Sequence, residues 1–190
     1  MDTIEVYIMS NSSTVTLGCY KLHPQAFLPA YATEDSACFD VQVCLPPGKR
    51  EVDTWSEYNV SCKSMAFTED LDGVGNASIL LYPGDRALLP TQLVLDIPKG
   101  FSVRLHMRSG LALKGGLMLS NCEGVIDSDY TLQLMVPVTN TSKTNVRITH
   151  GDRICQGEIV EKKSTHIVQL ADEVNRKTDR IGGFGSTGKD

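Results

Sequence analysis

The sequence lacks any apolar run of about 18 residues, so no segment is expected to cross a membrane as a helix. Its opening residues, MDTIEVYIMS, carry no basic stretch followed by an apolar core, so they do not read as a secretory leader. No Cys-x-x-Cys pair occurs among the six cysteines. The histidines at 23, 106, 150 and 166 form no ligand-spaced cluster with them, which argues against zinc. Without an export signal, the cysteines are expected as reduced thiols, some of them in the core. A basic excess is missing too. The 18 Lys and Arg against 23 Asp and Glu give a net charge of −5, so bulk charge does not favour holding a nucleic-acid backbone. A local basic pocket remains compatible with that balance. The 190 residues suffice for one domain with a real core and scarcely for two.

What is present is a period of two. Ile4, Val6 and Ile8 alternate with Glu5, Tyr7 and Met9, and Val103, Leu105 and Met107 alternate with Arg104, His106 and Arg108. The same pattern runs through Leu132, Leu134, Val136 and Val138, and through Val146 and Ile148. Such runs predict half-buried antiparallel strands. Pro46-Pro47-Gly48, Pro83-Gly84-Asp85, Pro98-Lys99-Gly100, Gly115-Gly116 and Gly151-Asp152 punctuate them as turns. The expectation is an all-β sandwich, jelly roll or barrel. One short helical turn is expected in Ser109 to Lys114, and the polar stretch Ala171 to Lys177 is the other candidate helix.

Two features bear on organisation. Pro83-Gly84-Asp85-Arg86 echoes His150-Gly151-Asp152-Arg153, which shared turn chemistry explains more simply than a duplicated domain. Residues 47–78 are more polar, hold the single tryptophan Trp55 and include the acidic run Glu69-Asp70-Leu71-Asp72. They read as an insertion between two strands with a hairpin around Val60 to Phe67. The acidic run lacks the later glutamate and the spacing of a calcium loop, so a solvated loop is expected.

Three segments carry groups suited to chemistry. Arg108-Ser109-Gly110 offers a guanidinium, a hydroxyl and a glycine amide at a strand end, convergent donors for an anion; the plain alternative is a surface arginine before an N-capping serine. Gly124 to Tyr130 runs from small and apolar residues into Asp127, Asp129 and a phenol. A carboxylate there can take a proton from water, whereas solvated turn aspartates are the alternative. Gly182-Gly183-Phe184-Gly185-Ser186-Thr187-Gly188 cannot build a core. Its amides and hydroxyls suit phosphates and its aromatic suits a base, against a simple disordered terminus.

Together with Ala32 to Asp40 and Gly151 to Gln156, these segments form five ordered motifs over residues 32–188. In this the chain resembles the trimeric dUTP diphosphatase (dUTPase) family. The resemblance implies a jelly-roll-like homotrimer that hydrolyses dUTP to dUMP and pyrophosphate with Mg2+. It implies a β-domain over residues 1–178 and a flexible glycine-rich arm over residues 179–190 that closes over a neighbour's site. Asp127 would activate water for attack on the α-phosphate. Tyr130 would lie against the deoxyribose, and Asn121 with the backbone around Val125 and Ile126 would read uracil, with Met135 lining the substrate. Arg108, Ser109, Gly110 and Gln156 would hold phosphates. Phe184 would stack on uracil, with Gly185, Ser186 and Thr187 donating to the terminal phosphates and Arg180 reaching the γ-phosphate. Mg2+ would be held mainly by phosphates and water. Asp40 would touch its shell through water or serve a structural or sugar-side role. A cytoplasmic location follows from the substrate pool, and the 47–78 insertion leaves room for a protein partner.

The chain departs from the family pattern at named places. Cys38-Phe39 stands where Gly-Tyr is usual, Leu132 replaces a glycine after Tyr130, and Cys155 and Gly157 replace an alanine and an apolar residue. Arg180 lies four residues before Phe184 rather than five. Two other readings stay open: a dCTP deaminase of the same fold, which needs a glutamate base, and a dUTPase-like protein whose main task is binding a regulatory protein.

Overall fold

A computed structural model describes residues 14–45, 51–58, 60–65, 67–68, 77–175 and 177–179. The chain enters through β1 (Gly18–Lys21), β2 (Ala30–Tyr31) and β3 (Phe39–Gln42). Next come β4 (Glu51–Trp55), β5 (Ser61–Met65), β6 (Phe67–Thr68) and β7 (Ala77–Leu81). Then follow β8 (Arg86–Pro90), β9 (Leu93–Asp96), β10 (Phe101–Met107) and β11 (Leu117–Leu119). The last are β12 (Gly124–Asp127), β13 (Met135–Asn140), β14 (Val146–Thr149) and β15 (Arg153–Glu161). Among the described residues the helical element is a π-type turn over Leu111–Gly115, overlapping the expected stretch Ser109 to Lys114.

One sheet runs β12-β10-β15-β3-β2 and another β11-β13-β8-β4-β5, with a three-stranded β14-β7-β6 sheet and a β1-β9 pair beside them. Among the described residues the strand pairings are antiparallel throughout. Val41, Leu105 and Ile154 of the first sheet share one buried cluster with Leu89, Leu119 and Val136 of the second. Each fully buried side chain of this size contributes about 1.5–3 kcal/mol of hydrophobic stabilisation. The fold is all-β and jelly-roll-like, as expected. Among the described residues no helix is long and apolar enough to cross a membrane.

The period-two readings hold for β10, where Val103 and Leu105 are buried, and for β14. The stretch Ile4 to Met9 lies outside the described residues. The strand expected from Leu132 begins later, at Met135. Leu132 is exposed, because Tyr130 turns back to donate its hydroxyl to Gln133 O at 2.9 Å. No helix forms over the described part of Ala171 to Lys177. The hairpin expected near Val60 to Phe67 is built instead from β4 and β5, with Glu51 opposite Met65 and Trp55 opposite Ser61. β4 also pairs with β8 and buries Val52 in the main cluster, so this part of residues 47–78 is integral to a sheet. The acidic run's centre, residues 69–72, lies outside the described residues.

The two Gly-Asp-Arg echoes are one turn used twice. Asp85 Oδ2 accepts the Tyr82 N–H at 3.0 Å, and Asp152 Oδ2 accepts the Thr149 N–H at 2.7 Å. Gly84 and Gly151 both have positive φ, 82° and 89°, which a residue with a Cβ adopts only with strain. The second turn sets the start of β15 and therefore the position of Arg153.

Candidate active site

One end of β10 carries a cluster of cations around a buried carboxylate. Asp40 on β3 is 6% exposed and faces Gln156 on β15 in the sheet register. Its Oδ1 lies 3.2 Å from Arg108 Nε and accepts the Gln156 amide at 3.3 Å. Its Oδ2 accepts Arg153 NH1 at 2.9 Å. Arg108 also donates to Arg153 O at 3.4 Å. A carboxylate this buried is tolerable only when paired and hydrogen-bonded, and here both oxygens are engaged. Two guanidinium groups held by one carboxylate leave net positive charge at the surface. That is the local basic pocket the negative chain requires.

Ser109 and Gly110 follow Arg108 at the entry to the π-type turn and are exposed. Gly110 has helical backbone angles, φ −65° and ψ −40°, and no side chain caps the turn. The simple N-capping role for Ser109 is therefore not the one observed. Open space surrounds Gly110, with nothing within 4 Å of where a Cβ would stand.

The second group of predicted residues is carried by the turn from β11 to β12, by β12 itself and by the turn after it. β11 and β12 belong to different sheets, so this segment is a crossing between sheets and not a hairpin. Asn121 sits exposed in the turn between β11 and β12, where Glu123 N–H donates to Asn121 O at 2.7 Å. Val125 is exposed and Ile126 half-buried on β12. Gly124 packs against β10 so closely that a Cβ would stand 2.9 Å from Leu105 Cβ. Tyr130 N–H closes the following turn onto Asp127 O at 3.1 Å. Met135 opens β13, half-buried and opposite Pro90. The turn between β11 and β12 is tied to β10 by Arg104 and His106, which lie 3.4 and 3.9 Å from Glu123. His106 also reaches Glu158 at 3.5 Å. These half-exposed pairs contribute modestly, about 0.2–1 kcal/mol each. Asp127, Ser128 and Asp129 border a cleft of about 610 Å³.

Asp127 and Arg108 do not meet within one chain, although β12 runs back so that Gly124 lies opposite Leu105, nearer the Arg108 end. Asp127 pairs with Ser102 near the start of β10, and Arg108 follows the strand's last residue, Met107. Six residue steps run from Ser102 to Arg108, about 20 Å at the usual rise of about 3.3 Å per residue. Arg180, Phe184, Gly185, Ser186 and Thr187 lie outside the described residues.

Sequence reasoning overlooked Arg153, although it named Gln156 in the same segment. Its signal was the Gly-Asp-Arg turn, which delivers the arginine to the start of a strand beside Asp40. Burial also tunes nearby groups. The Cys155 thiol is pushed up to about 12 by burial, with the Asp40 charge adding to the effect. His150 is held below its ordinary value by burial and by His23, and its Nδ1 accepts the Leu45 N–H at 2.9 Å.

Among the described residues no group of three His, Cys, Asp or Glu is placed to hold a metal. The cluster offers donors, and its one carboxylate, Asp40, already faces two guanidinium groups. This donor set fits a cation that arrives bound to phosphates rather than one caged by side chains.

A family model described as dUTPase matches residues 71–188. The deoxyuridine 5'-triphosphate nucleotidohydrolase of Finegoldia magna is 42% identical over 120 residues, covering 63% of this chain and 82% of its own. That of Brucella melitensis biotype 2 is 35% identical over 181 residues, covering 94% of this chain and 97% of its own. A mutant Staphylococcus bacteriophage 80alpha dUTPase, solved with dUpNHpp, superposes with a TM-score of 0.67 at 20% identity. It covers 92% of this chain and 99% of that one. A mutant dUTPase from phage phi11 of S. aureus, whose structure concerns the coordination of a structural Mg(II) ion, superposes with a TM-score of 0.62 at 18% identity. That match covers 84% of this chain and 99% of the other. With a relative of that similarity aligned along nearly its whole length, the chain belongs to the dUTPase family.

Proposed function

We propose that this chain hydrolyses dUTP to dUMP and pyrophosphate at a site shared between copies. The observation that carries the reading is the separation along β10. Asp127 and Arg108 stand about 20 Å apart on one chain, whereas a base and a phosphate ligand must each come within about 3 Å of the same reacting group. Both sets face outward, so Asp127 of one copy and the Arg108 end of a second complete one site. The homotrimer of the family supplies such a junction three times.

In that site Arg108, Ser109, Gly110 and Gln156 bind the phosphates. Asp40 and Arg153 fix the Arg108 guanidinium, which positions charge before the substrate arrives. Asn121, Val125 and Ile126 form the uracil slot, and Met135 lines it. Tyr130 stands against the deoxyribose, its ring oriented by the hydroxyl's bond to Gln133 O. Asp127 accepts the proton of the attacking water, and the α-phosphate releases pyrophosphate. Mg2+ held by the phosphates and water would neutralise the developing charge. Asp40, both of whose oxygens already face Arg108, Gln156 and Arg153, takes the structural role rather than a place in the metal's water shell.

Residues 1–178 make the β-domain, and residues 179–190 form the arm that closes over a neighbour. Phe184 covers the base, and Arg180, Gly185, Ser186 and Thr187 reach the outer phosphates. Exposed Ile167 and Val174 on the stretch before the arm, 90% and 72% accessible, support its docking on another copy. The dUTP pool places this activity in the cytoplasm. The β4–β5 hairpin leaves room for a protein partner beside the enzymatic role.

The test is turnover of dUTP with Mg2+ by the full chain, alongside sedimentation. A trimer that releases pyrophosphate is expected, and a folded monomer that leaves dUTP intact would sink the reading. Replacing Asp127→Asn should cut turnover by about 10²–10⁴-fold while nucleotide binding survives.

A further inference from the structure

Two lysines far apart in the sequence meet beside Asp127. Lys99 belongs to the turn between β9 and β10, and Lys162 follows the last residue of β15. The Lys162 N–H donates to Gly100 O at 2.7 Å, which fixes the two positions together. Both line the cleft of about 610 Å³ that Asp127 and Asp129 line, together with the apolar Ile97 and Phe101. Among the described residues neither lysine has an ion-pair partner.

Charge explains why this matters. A wall holding only the two carboxylates would repel a polyphosphate approaching the base. The two ammonium groups offset the two carboxylates and bring the lining to neutral. The net charge of −5 means that the field of the whole chain does not supply this attraction. We propose that Lys99 and Lys162 are phosphate-binding residues of the Asp127 half of the site, holding the nucleotide's phosphate chain beside the base. Lysine suits the task, because its compact charge on a flexible stem follows a phosphate without demanding a fixed fork geometry. The arginines at the opposite end of β10 supply the fork. This assignment rests on the dUTP reading above.

The test combines Lys99→Gln with Lys162→Gln in the full chain. Binding of an imido-linked, non-hydrolysable dUTP analogue with Mg2+ is measured by calorimetry at about 20 mM and about 500 mM salt. Exposed charges act over a Debye length of about 20 Å at the first and about 4 Å at the second. The expected result is a roughly tenfold loss of affinity at low salt that shrinks to under about threefold at high salt. The melting temperature should be unchanged, and Lys99→Arg with Lys162→Arg should restore binding. Unaltered affinity at low salt would overturn the proposal. So would a loss equal at both salt concentrations and not restored by arginine. Turnover of dUTP by the unaltered chain separates the two claims. A chain that binds the analogue through the lysines yet releases no pyrophosphate keeps this assignment and sinks the hydrolase. A chain that binds no analogue sinks both.

Discussion

The ring of Phe39 lies against the α-carbon of Gly157, so that a Cβ on Gly157 would overlap Phe39 Cε2 and Cζ. The two face each other across β3 and β15. The contact shows that position 157 has no space for a side chain beside an aromatic ring at position 39. The larger apolar residue usual at position 157 has no room while this ring occupies the space. Gly157→Ala is therefore expected to destabilise the chain by about 1–3 kcal/mol in urea unfolding. Adding Phe39→Leu should recover much of that loss, and an additive double variant would disprove the pairing.

Asp40 is the anchor of the cation cluster. Asp40→Ala leaves two guanidinium groups facing each other without their shared carboxylate, at a cost on the order of 3 kcal/mol. Denaturant unfolding reads the stability term. Turnover should fall about 100-fold, because displaced arginines no longer meet the phosphates in place. Unchanged kinetics would assign Asp40 to folding alone.

His150 predicts the acid side of the stability curve. Its Nδ1 must be unprotonated to accept the Leu45 N–H, and burial and His23 lower its folded value below the ordinary 6.5. The unfolded chain thus binds the proton more readily. The stabilising contribution is complete above about pH 6.5 and is lost as pH falls from there through the lower folded value. Urea midpoints at about pH 7.5 and 5.5 should differ, and His150→Asn should flatten the difference over that window.

Two thiols should separate by reactivity. Cys155 is buried, and its thiol is pushed up to about 12, so it should resist alkylation at pH 8 until the chain unfolds. Cys122 is exposed in the turn between β11 and β12, beside Asn121, and should react before Cys155. Mass spectrometry after brief alkylation reads the order. If Asn121 reads uracil as proposed, a bound dUTP analogue should protect the neighbouring Cys122.

The sequence by itself determined the all-β class and the strands β10 and β14, because alternation over a few adjacent residues is a local property. It also determined the ordered motifs and the repeated Gly-Asp-Arg turn, whose chemistry lies within four consecutive residues. Tertiary structure decided what depends on pairing between remote strands. It made β4 a core strand, ended the Leu132 alternation at the Tyr130 turn, and brought Arg153 to Asp40 and Lys162 to Lys99. It also set Asp127 of β12 beside the start of β10, with Arg108 just past its end. Register between distant segments is fixed by the joint burial of both partners, and a slip of one residue would turn every side chain to the other face. No single segment carries that information.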